Sequence, residues 1–511
     1  MTIMPFRLFF ALFTVALSPF AYGELNFAPT LSDGMVLQRN QPIVVWGSGL
    51  TTQAVTVNLG DETVSGVVDA DGKWQVVFKA KAASNKPVSL VAASGAERVA
   101  IADILVGDVW FCAGQSNMAL MLRRADNQDL AAANPGNAQI RFLNLSRSPF
   151  TKPIVGDAAA ALAPTAMNKK HFYKINGWYR CDTDNLNSLS AVAYWFAQSL
   201  QSELNVPVGL IVPPVGGSAA QAWVSRASID ADPQLQPILG RWIDDEPERL
   251  QLQLNPWLEA NPGATFDQTP LHRHRPTTLF ETAVSPMARH AIRGVIWYQG
   301  EQNAQDAIQA AWHEKSFPYI VRDFRQNWNQ SYLPFYYVQL PAFDNELWPV
   351  FREQQRQFQQ IPNTGMAVTI DLGEAKNIHP KNNLPVGQRL AKLALKHTYD
   401  YDLIASGPTP ESASATEDGH VRLTFANVGD GLRSTAPEIS GFEVAGADES
   451  FTPAVAKITS RNSVIIYSEN IVDPEYIRYA WAGFPRLLTL TNSEQLPAGP
   501  FQVPVDMMDQ L

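Results

Sequence analysis

The pattern of hydrophobic and polar positions changes along the chain, and its first part is typical of strands. From residue 24 to about residue 106, apolar and polar residues alternate in short runs, and an Asp71-Gly72 pair stands before one of them. Alternation with a period of two predicts half-buried strands, and Asp-Gly favours a tight hairpin turn. Residues 24–106 are therefore predicted to form a small antiparallel β-sandwich-like module.

Between residues 107 and 400 apolar strands alternate with helical patterns. The predicted strands are 108–112, 208–212, 294–297, 335–339 and 366–370, and the predicted helices include 188–204, 349–360 and 386–397. This alternation is typical of an α/β domain, in which helices cover both faces of a mostly parallel sheet. Residues from about 230 to 276 are rich in Pro, Gln, Asn and charge, which predicts an irregular insertion that walls a site.

Short strand patterns return after residue 400. Examples are the runs 421–425, 463–467 and 476–481. They predict a β-rich C-terminal module over residues 401–511. It either stands alone or completes a sheet shared with the N-terminal module.

Length, charge and the N-terminal segment narrow the function classes. A chain of 511 residues exceeds what one core usually fills, and its net charge of −10 excludes a general binder of nucleic acids. Arg7, an apolar run over 8–17 and Ala21-Tyr22-Gly23 predict that residues 1–23 are a secretory signal peptide. No later segment is long and apolar enough to span a bilayer. We therefore expect an exported protein, periplasmic or extracellular.

The two cysteines, Cys112 and Cys181, are too few for a disulfide scaffold or a cysteine-rich metal site. They form either one disulfide or two separately buried thiols.

A serine follows the predicted strand 108–112 within Gly114-Gln115-Ser116-Asn117-Met118. A glycine permits a tight turn at the end of a strand, and such a turn exposes a serine hydroxyl at the edge of the sheet. Ser116 is thus a candidate nucleophile. The alternative from this motif alone is a serine that caps a helix starting near Asn117.

Two further loops also follow predicted strands and carry groups suited to an oxyanion hole. Gly217 lies after strand 208–212, where a bare backbone N–H can approach a ligand. The loop after strand 294–297 holds Gln299, Glu301 and Asn303, an unusual density of polar side chains. Asn303 is a candidate oxyanion donor, whereas Gln115, Gln299 and Glu301 are candidate auxiliary residues. A plain turn and a polar helix cap are the alternatives for these two loops.

Of eight histidines, His379 has the placement expected of a general base. It lies in the loop after strand 366–370 and precedes Pro380, which restricts its backbone to extended conformations. The loop should reach the same sheet edge as Ser116. The nearest carboxylates are Asp371 and Glu374, and Asp371 is predicted to orient the imidazole. A backbone carbonyl in that role would make a Ser-His dyad instead.

Several ordered blocks of the sequence resemble the sialate O-acetylesterase family of SGNH hydrolases. These blocks are Leu31-Ser32-Asp33-Gly34-Met35-Val36-Leu37-Gln38-Arg39, Gly114-Gln115-Ser116-Asn117-Met118, Ser190-Ala191-Val192-Ala193-Tyr194, Trp297-Tyr298-Gln299-Gly300-Glu301-Gln302-Asn303, Asn377-Ile378-His379-Pro380, Val386-Gly387-Gln388-Arg389-Leu390 and Ile477-Arg478-Tyr479-Ala480-Trp481. The resemblance implies a flavodoxin-like three-layer esterase domain and removal of acetyl groups from carbohydrate hydroxyls. It also implies Ser116 as nucleophile, His379 as base and an oxyanion hole made by Ser116, Gly217 and Asn303.

The resemblance departs from the SGNH pattern at one position and does not fix the sugar. Many relatives place the acid three residues before the histidine, where this chain has Lys376. No metal or other cofactor is implied. Two β modules beside the esterase domain favour acetylated hemicellulose such as xyloglucan or xylan, and sialate is the alternative. A secreted carbohydrate-binding protein without activity, and a lipase or peptidase with the same nucleophile, are further alternatives.

Overall fold

The computed structural model describes residues 23–506 except 134–136, 148–172, 183, 243, 245–256, 258, 270, 472 and 487. The predicted signal peptide thus lies almost wholly outside the described residues, as does part of the predicted insertion. The described helices include none that is long and apolar enough to cross a membrane.

Seven strands and the start of an eighth form the N-terminal module. They are β1 Asn26–Phe27, β2 Val36–Gln38, β3 Ile43–Ser48, β4 Ala54–Leu59, β5 Glu62–Val67, β6 Lys73–Phe78, β7 Ser84–Ser94 and β8 Glu97–Gly114. One sheet has the order β1-β3-β6, and the other strands pair among themselves and with the first half of β8. Buried and exposed residues alternate strictly along β6, which shows the pattern of a half-buried strand.

Strand β8 continues from this module into the centre of an α/β domain. The domain adds β9 Ile140–Arg147, β10 Tyr173–Arg180, β11 Val208–Val212, β12 Gly294–Tyr298, β13 Phe335–Val338 and β14 Thr364–Ala367. The order is β10-β9-β11-β8-β12-β13-β14, in which only β10 pairs antiparallel to its neighbour. The whole sheet is nevertheless mixed, because the second half of the N-terminal module joins it through β8.

Eight α-helices have their full bounds within the described part of the chain. They are α1 Ser116–Ala119, α2 Gln128–Ala133, α3 Ala191–Leu204, α4 Arg226–Ala231, α5 Pro237–Arg241, α6 Ala307–Asn327, α7 Trp348–Gln357 and α8 Leu384–Tyr399. Ser190 caps α3 by accepting a hydrogen bond from the N–H of Ala193, as serine commonly does at an N-terminus.

The central sheet is buried on both faces. Alternate residues of β8 belong to different cores, with Phe111 in one and Trp110 in the other. Helices α3 and α8 pack on the Trp110 side, whereas Phe324 of α6 belongs to the Phe111 side. Cys112 and Cys181 are both buried thiols and do not form a disulfide.

The C-terminal part is a separate seven-stranded antiparallel sheet. Its strands are β15 Thr409–Ala415, β16 Val421–Ala426, β17 Ile439–Ala445, β18 Thr452–Ile458, β19 Ser463–Tyr467, β20 Tyr476–Tyr479 and β21 Phe501–Pro504, in the order β15-β16-β19-β18-β17-β20-β21. Arg352 of α7 donates hydrogen bonds to the carbonyls of Ala482 and Gly483, which fastens this sheet to the α/β domain. The coarse prediction of an α/β domain with a β-rich C-terminal part is confirmed.

The strand order locates a crevice at the sheet edge. The chain runs from β8 to β11 on one side and later to β12 on the other, so strand order reverses about β8. In open α/β sheets, ligands bind outside the carboxyl ends of the strands at such a reversal. Ser116 follows the carboxyl end of β8 at this position.

Candidate active site

Ser116 lies immediately beyond the end of β8, where Gly114 allows an unusually close approach to β12. Gly114 has a φ of 137°, and a Cβ built on it would lie 2.1 Å from the carbonyl oxygen of Tyr298. The N–H of Gln115 donates to that same carbonyl at 2.8 Å. Only glycine fits this conformation and contact, so the tight turn that leads to Ser116 depends on it.

Gln115 joins the serine turn to the loop that follows β12. Its side chain is buried, and Oε1 accepts from the N–H of Gln302 at 3.2 Å and from the N–H of Gly300 at 3.4 Å. Its Nε2 lies 3.5 Å from Ser116 Oγ. Gln115 therefore holds the two loops together beside the hydroxyl.

His379 lies on the loop before α8, and hydrogen bonds with Asn377 fix its backbone. The His379 N–H donates to Asn377 Oδ1 at 3.1 Å, and Asn377 Nδ2 donates to the His379 carbonyl at 3.0 Å. Burial and the positive charge of Arg124 lower the pKa of His379 from its ordinary value of 6.5. The imidazole is therefore largely neutral near pH 7, the form in which it can accept a proton.

Ser116 and His379 line one cavity of about 370 Å³. Its other walls come from the helical segment after Ser116, from β9, from the loop before α3 and from the end of β11. The lining residues are Ser116, Ala119, Leu120, Met121, Arg124, Asn144, Leu145, Ser188, Ser190, Val212, Pro214, Gly216 and His379. This volume lies within the ordinary range for small-molecule sites.

The glycine loop after β11 reaches this cavity, with Gly216 as the nearer glycine. A Cβ built on Gly216 would lie 3.6 Å from Ser116 Cβ, so its backbone adjoins the serine. Gly217 has a φ of 67° and adjoins Arg273 instead. The N–H of Val215 donates to the Gly114 carbonyl at 3.0 Å, which anchors this loop to the serine turn.

Asn303 is fully buried and uses its amide in a network behind the cavity wall. Nδ2 donates to Gln221 Oε1 at 3.1 Å and to the Gln309 carbonyl at 3.0 Å. Oδ1 accepts from the N–H of Ala220 and from Gln299 Nε2. Both Nδ2 hydrogens are thus engaged, and the cavity-lining residues do not include Asn303. Its role as an oxyanion donor stays a prediction.

Asp371 requires a correction. Arg389 binds its carboxylate in a bidentate manner, with Nη1 2.7 Å from Oδ1 and Nη2 2.6 Å from Oδ2. The Asp371 carboxylate pairs with Arg389, and in the described part of the chain no hydrogen bond joins it to the His379 ring. Glu374 accepts instead from Asn377 Nδ2, so it acts on the backbone of the histidine loop.

Glu301 is buried close to the site and binds the residue after the nucleophile. Its Oε1 accepts a hydrogen bond from Asn117 Nδ2, which also donates to the Ile378 carbonyl at 3.1 Å. Burial raises the pKa of Glu301 to about 7. Gln299, the other polar residue predicted here, donates from Nε2 to the Ser218 carbonyl and supports the glycine loop.

Sequence reasoning did not identify Asn117 or Arg124 as site residues, and of the two glycines after β11 it selected Gly217, whereas Gly216 lines the cavity. The position of Asn117 directly after a candidate nucleophile is a signal that could have identified it. Nothing in the sequence marks Arg124, whose place in the cavity wall depends on the turn after α1. Among the described residues, no group of three or more His, Cys, Asp or Glu is arranged to hold a metal ion.

Known proteins are similar to this chain in sequence and in fold. A family model described as a sialic acid-specific acetylesterase among carbohydrate esterases matches residues 263–396. Sialate O-acetylesterase of Mus musculus is 25% identical, with 93% of this chain and 94% of that protein covered. The Homo sapiens protein of the same name is 26% identical, with 93% and 92% covered.

A solved structure gives a nearer likeness. A carbohydrate acetylesterase from Xanthomonas citri is 30% identical, with a TM-score of 0.76 over 95% of this chain and 100% of that chain. The protein is thus a carboxylic ester hydrolase, a carbohydrate O-acetylesterase. It belongs with the carbohydrate acetylesterases, and the resemblance to sialate O-acetylesterases found in the sequence is confirmed.

Proposed function

We propose that the protein removes acetyl groups from sugar hydroxyls through an acetyl-serine intermediate, with Ser116 as nucleophile and His379 as general base. The observation that carries this proposal is that both residues line one cavity at the strand-order reversal, with the pKa of His379 lowered. A neutral imidazole accepts the Ser116 proton as Oγ attacks the acetyl carbonyl.

The two half-reactions use the same groups. As the tetrahedral intermediate collapses, His379 returns the proton to the departing sugar oxygen and leaves an acetyl ester on Ser116. Water then gives its proton to His379 and attacks that ester, so acetate leaves and Ser116 regains its proton. Backbone N–H groups of Ser116 and of the Gly216-Gly217 turn are the proposed oxyanion donors. Asn303 stays the predicted further donor, and to act as one its amide must leave Gln221 or the Gln309 carbonyl.

Within the proposed mechanism His379 acts without an aspartate. The carboxylate of Asp371 is engaged by Arg389, and the contacts of Asn377 and Asn117 fix the backbone of the histidine loop. A dyad is therefore the simpler arrangement for this chain. Fold topology supports the SGNH assignment, because β11-β8-β12-β13-β14 have the flavodoxin-like order 2-1-3-4-5 when β9 and β10 are set aside.

A serine-directed probe tests the chemistry. Purified enzyme should be labelled covalently at Ser116 by a fluorophosphonate. Ser116→Ala should lose labelling and, like His379→Ala, lose acetate release from an aryl acetate by on the order of 10⁴-fold. Near-normal turnover in either variant would contradict the assignment.

Acetylated hemicellulose is the first proposed substrate and an acetylated sialic acid is the second. The β-rich parts on either side of the esterase domain suit a polymer or a large oligosaccharide. One specific observation favours sialate: Arg124 lies in the cavity wall, where a guanidinium can bind a sugar carboxylate. The mammalian relatives are named sialate O-acetylesterases.

A substrate panel decides between these two sugars. Acetate release is compared on acetylated xyloglucan, acetylated xylan, acetylated pectin and O-acetyl sialic acid. If sialate is the substrate, Arg124→Gln lowers turnover of the acidic sugar selectively. If hemicellulose is the substrate, the neutral polymers are the best substrates and, at a pH well above the pKa of His379, this variant affects them little. Export remains part of the proposal, and N-terminal sequencing of the secreted protein tests whether it begins near Glu24.

A further inference from the structure

A single buried carboxyl group links the loops that carry the nucleophile and the base. Glu301 follows β12, and only 1% of its surface is exposed. Its Oε1 accepts from Nδ2 of Asn117, the residue after Ser116. The same Nδ2 donates to the carbonyl of Ile378, the residue before His379. Glu301, Asn117 and Ile378 therefore form one chain of contacts behind the site.

Among the described residues, no cation forms an ion pair with Glu301, and its other oxygen, Oε2, makes no hydrogen bond of ordinary geometry there. Tyr298 of β12 is the ionisable group that interacts with it electrostatically. His379 and Arg124 line the cavity, whereas Glu301 is not among its lining residues. Burial raises the pKa of Glu301 more than the Asn117 amide and the backbone N–H groups of Glu301 and Gly300 lower it, so the buried carboxyl group favours its neutral form.

We infer that Glu301 is a positioning residue for Ser116 and His379. Its ionisation controls how firmly Asn117 holds the Ser116 turn and the His379 loop in their relative positions. The inference rests on the proposed roles of Ser116 and His379. A hydrogen bond from an amide to a carboxylate is about twice as strong as one to a neutral carboxyl oxygen. Ionised Glu301 therefore holds Asn117 firmly, and protonation loosens the link between the two loops.

The pH dependence of turnover follows from the sign of this effect. The pKa of Glu301 is raised to about 7. Above that pH Glu301 is mostly ionised and holds Asn117 strongly, and below it this stronger hydrogen bond is lost. His379 must also be neutral, and its pKa is lowered from 6.5. Turnover should accordingly rise with pH through two ionisations, the upper one belonging to Glu301.

The decisive variant is Glu301→Gln, which keeps the shape and removes the ionisation. On a neutral aryl acetate we expect kcat about tenfold lower at pH 8.5 but little changed at pH 5.5, with KM nearly constant. The upper ionisation should disappear from the kcat profile. An unchanged two-step profile, or the same loss at every pH, would overturn the inference, since a purely structural role has no pH dependence of its own.

A control and a second variant keep the test decisive. Glu353→Gln changes another buried glutamate, which pairs with Arg356 on α7, and should leave the pH profile unchanged. If Glu301→Gln does not fold, Asn117→Ala removes the side chain through which Glu301 acts, so kcat at high pH should fall and the upper ionisation should disappear from the kcat profile. An upper ionisation that persists in this variant would contradict the inference. Activity retained by Ser116→Ala would instead refute the proposed function, so the two failures are distinguishable.

Discussion

Burial is the larger cause of the lowered pKa of His379, and one neighbouring side chain, Arg124, lowers it further. The guanidinium disfavours the imidazolium form and lowers the pKa of His379 together with burial. Arg124→Gln removes this repulsion, so the pKa of His379 should rise. The rise of kcat/KM with pH that depends on His379, the acidic limb of the profile, should then move to higher pH. The kcat/KM profile on a neutral aryl acetate measures the shift.

Arg123 provides the matched control. It is the exposed neighbour of Arg124 on the same 3-10 turn but is not among the cavity-lining residues. Arg123→Gln changes the net charge equally and should leave the limb in place. Equal shifts in the two variants would mean that general charge, and not the contact of Arg124 with the site, lowers the pKa.

Asp371→Asn separates a structural ion pair from a catalytic acid. Because Asp371 binds Arg389 and not His379, we expect kcat to stay within about threefold of the wild type, whereas loss of a triad aspartate costs about 10⁴-fold. The pair is partly exposed, so the free energy of unfolding should fall by only about 1 kcal/mol. Steady-state kinetics and urea unfolding measure the two effects. A large loss of kcat would show that Asp371 is the acid of a catalytic triad.

At single residues, sequence reasoning worked where one side chain has one chemistry and failed where several acids compete. Ser116 and His379 each follow a predicted strand, and the two now line one cavity. The partner of His379 was chosen by nearness in sequence, which cannot reveal that Arg389, 18 residues later on α8, binds Asp371. Arg124 was missed for the same reason, because long-range packing brings it to His379.

The close approach of strand β8 to β12 depends on the glycine at the carboxyl end of β8, Gly114. Gly114→Ala places a methyl group against the Tyr298 carbonyl at a positive φ, and the two strands that carry the site must separate. We expect the free energy of unfolding to fall by about 3 kcal/mol, with loss of esterase activity. Urea unfolding of the variant measures the cost.

Gly95 isolates the backbone part of that cost. It has a φ of 57° in the turn between β7 and β8, and a Cβ there would meet nothing within 4 Å. Gly95→Ala should therefore cost only about 1 kcal/mol and leave kcat unchanged. If both variants lose the same stability, the close contact between β8 and β12 is not what restricts position 114.

At the level of elements, the strong apolar runs predicted strands close to their observed positions, whereas the joins between elements were not predictable. The run 108–112 is only the buried end of the 18-residue strand β8, whose first half pairs with another part of the chain. Helix α6 contains Pro318, and proline ordinarily argues against a helix interior. Its tertiary packing through residues such as Phe317 and Phe324 offsets that local cost.

Across the whole molecule, one buried aspartate ties the N-terminal module to the α/β domain. Asp108 lies on β8 and is 1% exposed at its side chain. It accepts from Gln38 and Arg39 of the N-terminal module, and from the hydroxyl of Tyr399 at the end of α8. The shared strand and this carboxylate make the two parts one continuous structure.

Asp108→Asn should consequently weaken both parts together. It leaves the Arg39 guanidinium without its carboxylate, which we expect to cost about 3 kcal/mol. Because β8 runs through both parts, amides of β3–β7 and of β11–β12 should lose the same protection in hydrogen exchange followed by mass spectrometry. Glu62→Gln, which breaks the partly exposed pair with Lys81 inside the N-terminal module, should affect neither set by more than about 1 kcal/mol. Faster exchange confined to β3–β7 in Asp108→Asn would show instead that the module unfolds independently, and that the active site does not depend on it for stability.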